Sequence, residues 1–136
     1  WIDQGAVQAI PIVEVPNRYL AGITEVALKN HYADKTNWQK MLKNDVPSVD
    51  LVAERLKLEN LIPTEVQEYF FSTKEDLYEL QYPVLQYPTK VNSLNLDKSP
   101  NFSGKLTGVK GQYLLFEDGT VFNVRTFEGY VVKISI

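Results

Sequence analysis

Two apolar patterns occupy the first 32 positions of the chain. Residues 6–15 hold a β-branched run, and Pro11 within it predicts an edge strand or a bulge. Residues 18–32 then place apolar side chains at spacings of three and four, the period of an amphipathic helix, behind Asn17 as a candidate N-cap. The apolar residues at that spacing are Leu20, Ile23, Ala27 and Leu28.

The helical period continues in shorter segments to about residue 70. A segment at 38–42 follows two candidate caps, Thr36 and Asn37, and a longer one runs over residues 51–61. A further helix is expected after Pro63, since proline is favoured at the first helical position. This part of the chain is therefore predicted to be mainly helical.

From residue 81 onwards the pattern becomes that of a β domain. Two Tyr-Pro pairs, at 82–83 and 87–88, favour extended backbone and predict a linker or an edge strand. Asp118-Gly119 predicts a tight hairpin between two strands. The predicted strands cover residues 90–96, 105–109, 112–116, 121–125 and 130–136. Short strands punctuated by glycine favour a small antiparallel β-barrel or curled sheet.

These patterns predict an α+β fold in three parts. Residues 1–45 form a helical part with one or few strands, residues 46–80 an acidic helical connector, and residues 81–136 a small β domain. Charge supports the division, because residues 51–89 hold 3 Lys/Arg against 7 Asp/Glu, whereas residues 90–136 hold 6 against 4.

Composition narrows the class of protein. With 136 residues, 44% hydrophobic and 23% charged, the chain is expected to fold in water, without a membrane span and in the cytoplasm. A net charge of -3 argues against a globally basic nucleic-acid binder. The absence of cysteine excludes disulfides and thiolate zinc sites within these residues. No nucleotide-binding or hydrolase motif is present, so no complete active site is expected here, and whether the protein is an enzyme stays open.

Basic and aromatic residues are interleaved in the β part of the chain. Cations for phosphates and ring faces for bases are what a single-strand binding surface requires, so DNA or RNA is one expected partner. The candidate contact residues are Lys105, Lys110, Arg125, Lys133, Tyr113 and Tyr130. Alternation leaves apolar groups on both strand faces, so half or more of the aromatic rings are expected in the core. Gly108-Val-Lys-Gly111 is similar to a backbone-binding Gly-x-x-Gly clamp, but its place between two strand patterns favours a tight turn.

Glu25 and His31 are the candidates for chemistry in the helical part. Glu25 is either a ligand for a metal ion or water, or half of a surface pair with Lys29 one turn later. His31, the only histidine, lies where a helix ends and a cation is favoured, which points to a structural role.

Three stretches of the chain resemble the C-terminal half of an uncharacterised bacterial family of unknown function. They are WIDQGA, AIPI, RYLAGITE and DKTNWQKML within residues 1–42, YPV through YPTKVNSLNLDK over 82–98, and GKLTGVKGQY over 104–113 with DG, NVR and GY after it. Longer members of that family carry a zinc-ribbon-like N-terminus followed by a domain similar to GIY-YIG nucleases. The resemblance implies that residues 1–45 are the C-terminal part of that domain.

The resemblance also suggests a function. Glu25 matches the acidic residue with which GIY-YIG nucleases hold a divalent cation beside the scissile phosphate. The tyrosines, arginine and zinc ligands of the family would lie before Trp1, so these residues alone are expected to be inactive and to hold no cofactor, whereas the intact protein would use a divalent cation and zinc. We therefore expect a nucleic-acid-associated, nuclease-related protein. The alternative is a protein–protein interaction or dimerisation module without catalysis, which would form a homo-oligomer.

Overall fold

The computed structural model describes residues 2–33, 35–71 and 77–136, and it has the predicted α+β composition. Trp1 and Asp34, which contribute to the resemblance, lie outside the described residues. The helices are α1 (Arg18–Lys29), α2 (Trp38–Leu42) and α3 (Leu51–Leu58), with 3-10 turns at Thr64–Tyr69 and Arg125–Phe127. The strands are β1 (Gln8–Ala9), β2 (Tyr78–Glu79), β3 (Asn92–Ser93), β4 (Leu106–Lys110), β5 (Tyr113–Phe116) and β6 (Thr120–Asn123).

The chain folds into two compact units, each built from separate stretches of sequence. The helical unit comprises Val7–Thr36 and Pro47–Leu80, and the sheet unit comprises Trp1–Ala6, Asn37–Val46 and Gln81–Ile136. The predicted parts 1–45, 46–80 and 81–136 were contiguous. In the two compact units, residues 37–46 group with the strands.

Capping side chains define both helices of the helical unit. Asn17 Oδ1 accepts the N–H of Leu20 at 3.0 Å, as predicted, and the side chain of Asp50 caps α3 by accepting the N–H groups of Val52 and Ala53. The helix expected after Pro63 is a 3-10 turn. The core residues of this unit are Thr24, Arg55, Leu58, Ile62 and Val66.

The strand predicted over residues 6–15 is mostly irregular. Only Gln8–Ala9 forms a strand, paired antiparallel with Tyr78–Glu79, and Val13 makes an isolated bridge to Phe70. Pro11 lies between Ala9 and Val13 and has no N–H to donate to a ladder. Its carbonyl accepts a hydrogen bond from Arg55 Nη1 at 3.3 Å.

The sheet unit contains an open four-stranded sheet with the order β3-β6-β5-β4. Its β4–β5 and β5–β6 pairs are antiparallel, but β3 runs parallel to β6. The described residues therefore form a mixed sheet and no closed barrel. The predicted Asp118-Gly119 hairpin joins β5 to β6, with Gly119 at φ +83°. Residues 130–136, predicted as a strand, are irregular and exposed.

Extended backbone from the first Tyr-Pro pair lies beside β4. Val109 N donates to Pro83 O at 3.0 Å, and Leu85 N donates to Thr107 O at 2.8 Å. Gly108 permits this approach, because a Cβ there would stand 2.8 Å from the Cα of Val84. The first Tyr-Pro pair therefore leads into an edge segment beside β4. An edge strand was one of the two predictions for the Tyr-Pro pairs, and a linker was the other.

One face of this sheet packs on α2. The buried cluster combines Met41 and Leu42 of α2 with Tyr113, Leu115 and Val121 of the central strands. Because side chains alternate along a strand, Leu114 and Phe122 point to the opposite face. That second face carries the candidate site.

Candidate functional site

The six residues predicted to contact nucleic acid all belong to the sheet unit but differ in exposure. Lys110 and Tyr113 are 0% and 8% exposed. The exposed residues are Lys105, Arg125, Tyr130 and Lys133. In this conformation only the exposed four are accessible to a phosphate or a base.

Lys110 is held inside the sheet unit by two aromatic rings and an amide. Its Nζ donates to Asn44 Oδ1 at 2.9 Å and lies 5.6 Å and 5.0 Å from the ring centroids of Tyr82 and Tyr87. Tyr82 is itself anchored, because its hydroxyl donates to Ala6 O at 2.8 Å. Burial lowers the pKa of Lys110, since it removes water from the ammonium group. Both Tyr-Pro pairs thus provide cation–π contacts to a buried lysine.

Tyr113 and Lys105 also have partners within the unit. The Tyr113 ring stacks on Trp38 of α2 with centroids 6.1 Å apart. Lys105 Nζ forms a 2.9 Å ion pair with Glu117 across the β4–β5 ladder, with both side chains largely exposed. Glu117 therefore offsets the charge of Lys105, while Arg125 and Lys133 remain exposed cations of the same unit.

A cleft of about 600 Å³ opens on the sheet face that carries Leu114 and Phe122. The turn after β6 adds Arg125 and Phe127, and Tyr130 follows them. We call this feature the aromatic cleft. It is of the size typical of small-molecule sites, which are mostly apolar with a few polar groups.

Three aromatic rings of the cleft contact one another in series. The Phe122 and Phe127 rings are stacked with centroids 5.4 Å apart, and the Phe127 and Tyr130 rings meet edge-on at 5.3 Å. The Tyr130 hydroxyl donates to Asp97 Oδ1 at 2.7 Å, and this bond to a carboxylate raises the pKa of Tyr130. Tyr130 is nevertheless 51% exposed. Its ring is therefore fixed at one end and accessible from solvent.

Gln112, in the turn between β4 and β5, also lines the aromatic cleft. Its backbone is fixed on both sides, since its N–H donates to Asp3 O at 3.2 Å and its carbonyl accepts from Val124 N at 3.0 Å. Gly111, at φ +58°, makes this turn possible, because a Cβ there would lie 2.5 Å from Asp3 O. The Gln112 Oε1 atom is buried and has no hydrogen-bond partner among the described residues. The tight turn predicted for Gly108-Val-Lys-Gly111 is therefore displaced: Gly108, Val109 and Lys110 belong to β4, and the turn is formed by Gly111 and Gln112.

Charged side chains complete the lining of the aromatic cleft. The charged residues that line it are Asp3 and Glu128, which are acidic, and Arg125, which is basic. Two anions and one cation disfavour a phosphate group deep inside the cleft. The same carboxylates are acceptors for ligand N–H groups.

Glu25 and His31 lie in the helical unit, Glu25 on α1 and His31 just beyond it. Both side chains are exposed. Within residues 2–33, 35–71 and 77–136, no three His, Asp or Glu side chains are grouped as a metal site. Over the same ranges, none of the helices has the length and apolar character needed to cross a bilayer.

Part of the aromatic cleft was predictable from the sequence, but Gln112 was not. Arg125 and Tyr130 were predicted from residue type, and both line the cleft. Gln112 was not predicted, because nothing in a Gly-Gln pair indicates that the amide oxygen will be buried. Gln112 can be recognised only from the folded turn, where its backbone makes two hydrogen bonds and it follows Gly111, a glycine with positive φ.

A family model for a protein of unknown function, DUF2797, matches residues 1–132. The match includes the helical unit, the sheet unit as far as residue 132, and the residues of the aromatic cleft. The chain belongs to the DUF2797 family. No curated protein and no solved structure matches this DUF2797 chain at a significant level.

Proposed function

We propose that this DUF2797 protein is nucleic-acid-associated, and that the aromatic cleft binds an unpaired base of single-stranded DNA or RNA. The observation that carries the proposal is the connected set of rings Phe122, Phe127 and Tyr130 beside the guanidinium of Arg125. Stacking on aromatic rings, with cations for the backbone, is the usual mode of single-strand binding.

The charges of the sheet unit fit this division of roles. Carboxylates in the cleft disfavour phosphate there, so the base enters and the backbone stays outside. Arg125, at the cleft, and Lys133, just after it in sequence, are exposed. Two such cations predict weak binding with a modest salt dependence, since each phosphate contact contributes about one unit to the slope of log affinity against log salt.

Replacing Tyr130 tests the stacking. Tyr130→Ala should weaken binding of a fluorescent single-stranded oligonucleotide by about 5- to 150-fold, because stacking is worth about 1–3 kcal/mol per base. Tyr130→Phe removes the hydrogen bond to Asp97 but keeps the ring, so it should bind like the wild type. Fluorescence anisotropy at about 50 mM and about 200 mM salt measures both effects.

Arg125→Gln tests the contribution of charge to binding, and Lys43→Gln is its matched control. Lys43 is an exposed residue at the end of α2, the helix that packs on the other sheet face. Only Arg125→Gln should reduce the salt dependence. No binding at low salt, or equal losses in the Ala and Phe variants of Tyr130, would contradict the proposal.

A nuclease-related role of the intact protein is supported by Glu25. Its carboxylate is exposed on α1, where a cation and a phosphate can approach it. In a longer DUF2797 protein with sequence upstream of the matched region, Glu25→Gln should abolish Mg²⁺- or Mn²⁺-dependent cleavage and leave oligonucleotide binding intact. Glu14→Gln, at another exposed carboxylate of the helical unit, is the matched control. Cleavage that survives Glu25→Gln would contradict this role.

A second candidate function is self-association through residues 130–136. Val131, Ile134 and Ile136 in this segment are highly exposed, and none of its residues pairs with a described strand. An apolar segment with strand-forming residues can pair with a second copy of itself. The mass of the chain in solution distinguishes this function from the first.

A further inference from the structure

We infer that the sheet unit holds a second base-stacking subsite, formed by the rings of Phe102 and Phe116 on the same sheet face as the aromatic cleft. This inference rests on the proposed function and extends it from one base to a short single strand that crosses the face. It is carried by an exposed aromatic pair. The Phe102 and Phe116 rings meet edge-on with centroids 4.8 Å apart, and Phe102 is 37% exposed.

Strand geometry places this aromatic pair on the face that carries the aromatic cleft. Phe116 follows Leu114 by two residues on β5, and side chains two residues apart along a strand share a face. Leu106 of β4 is the cross-strand partner of Phe116, so it lies on that face too, and it is 49% exposed. The apolar surface therefore continues along β5 from Leu114, which lines the cleft, to the aromatic pair.

The Phe102 ring is supported from within the protein and remains accessible to a base. Its edge-on contact with Phe116 covers at most one face of the ring. Gly104 leaves room for the ring, because a Cβ there would stand 2.7 Å from Phe102 Cζ. An exposed ring that is already packed against a second ring loses little freedom when a base stacks on it.

The charged residues next to the pair in sequence have partners within the protein. Lys105 Nζ forms its 2.9 Å ion pair with Glu117. The Asp118 carboxylate accepts from the N–H and the hydroxyl of Thr120 at 2.9 Å and 3.0 Å. The second subsite should therefore contribute stacking to binding without adding to the salt dependence, in contrast to Arg125 at the cleft.

The two subsites are close enough for one short strand to reach both. A β-strand rises by about 3.4 Å per residue, so Phe116 lies about 7 Å beyond Leu114. Successive nucleotides of a stacked strand also advance by about 3.4 Å, and those of an extended strand advance further. A strand of about eight nucleotides is therefore long enough to place one base in the cleft and another on Phe102.

The test compares two strands of equal length and charge. One is oligo-dT of about eight nucleotides, and the other has a single central thymine with abasic sugars at every other position. Phe102→Ala should weaken binding of the full strand by about 5- to 150-fold, the range for stacking one base. It should leave binding of the one-base strand, and the salt dependence of both, unchanged. Fluorescence anisotropy measures both affinities.

Three further variants separate stacking from packing. Phe102→Tyr keeps the ring and should bind both strands like the wild type. Phe102→Leu keeps an apolar side chain against Phe116 but has no ring, so it should lose the full strand as Phe102→Ala does. Leu85→Ala removes a side chain that is 92% exposed beside β4, and it should change neither affinity. Circular dichroism and thermal unfolding check that each variant is folded.

The outcomes separate this inference from the proposed function. If neither strand binds the wild type, the proposed function fails. If both strands bind and Phe102→Ala affects them equally or not at all, base binding in the cleft stands and the second subsite is overturned. Full binding of the long strand by Phe102→Leu also overturns it, because an apolar side chain then suffices without a ring.

Discussion

Lys110 illustrates how a basic residue can belong to the interior of a protein. The side chain is 0% exposed, and its ammonium contacts Asn44, Tyr82 and Tyr87. Burial of a charge is costly unless rings and hydrogen bonds replace water. Here a hydrogen bond and two ring contacts replace part of that hydration, and the methylenes of the side chain fill space in the unit.

Lys110→Ala should lower the free energy of unfolding by about 2–4 kcal/mol, because it leaves a cavity where the methylenes packed. Lys110→Met should cost less, since it refills most of the volume and removes the buried charge. Chemical denaturation followed by tryptophan fluorescence measures both changes. Equal losses in the two variants would show that the ammonium contacts, not the packing, stabilise the unit.

The stability contribution of Lys110 should also depend on pH. Burial lowers the pKa of Lys110 in the folded chain below its ordinary value of 10.5, so the unfolded chain binds the proton more tightly. Between the folded pKa and 10.5 the unfolded state therefore holds more protons, and stability rises with pH. The free energy of unfolding of the wild type relative to Lys110→Met should increase as the pH is raised towards 10.5. A constant or falling difference would contradict the lowered pKa.

Residue type alone could not separate surface contacts from core in this chain. Lys110 and Arg125 are both basic residues near aromatic ones, yet one is buried and the other exposed. Tyr113 and Tyr130 differ in the same way. Alternation along β5 left both faces with apolar residues, so the face that packs on α2 could be assigned only from the folded chain.

Elements with local signals were predicted well, and those without were not. Asn17 caps α1 as expected, and Asp118-Gly119 forms the hairpin between β5 and β6. The parallel pairing of β3 with β6 was missed, because it joins residues distant in sequence and has no turn to mark it. Residues 130–136 have strand-forming composition, but strand formation requires a partner edge as well as propensity.

The sequence pattern also could not predict which part of the chain each helix packs against. Residues 37–46 look like part of a helical half, and the short helix they form is amphipathic. Its apolar residues Met41 and Leu42 belong instead to the core of the sheet unit. A hydrophobic stripe shows that a helix is buried on one side but does not identify the surface that buries it.

Self-association through residues 130–136 is the prediction that concerns the whole molecule. Ile134 is 80% exposed, and two copies of an unpaired apolar segment can pair antiparallel about a two-fold axis. The mass measured by sedimentation equilibrium should then rise from monomer to dimer with concentration. Ile134→Lys should shift this equilibrium to monomer, because pairing would bring two like charges together. Leu85→Lys is the matched control, since Leu85 is 92% exposed but lies in a different segment of the sheet unit. A mass that stays monomeric at every concentration, or equal effects of the two variants, would contradict pairing through this segment.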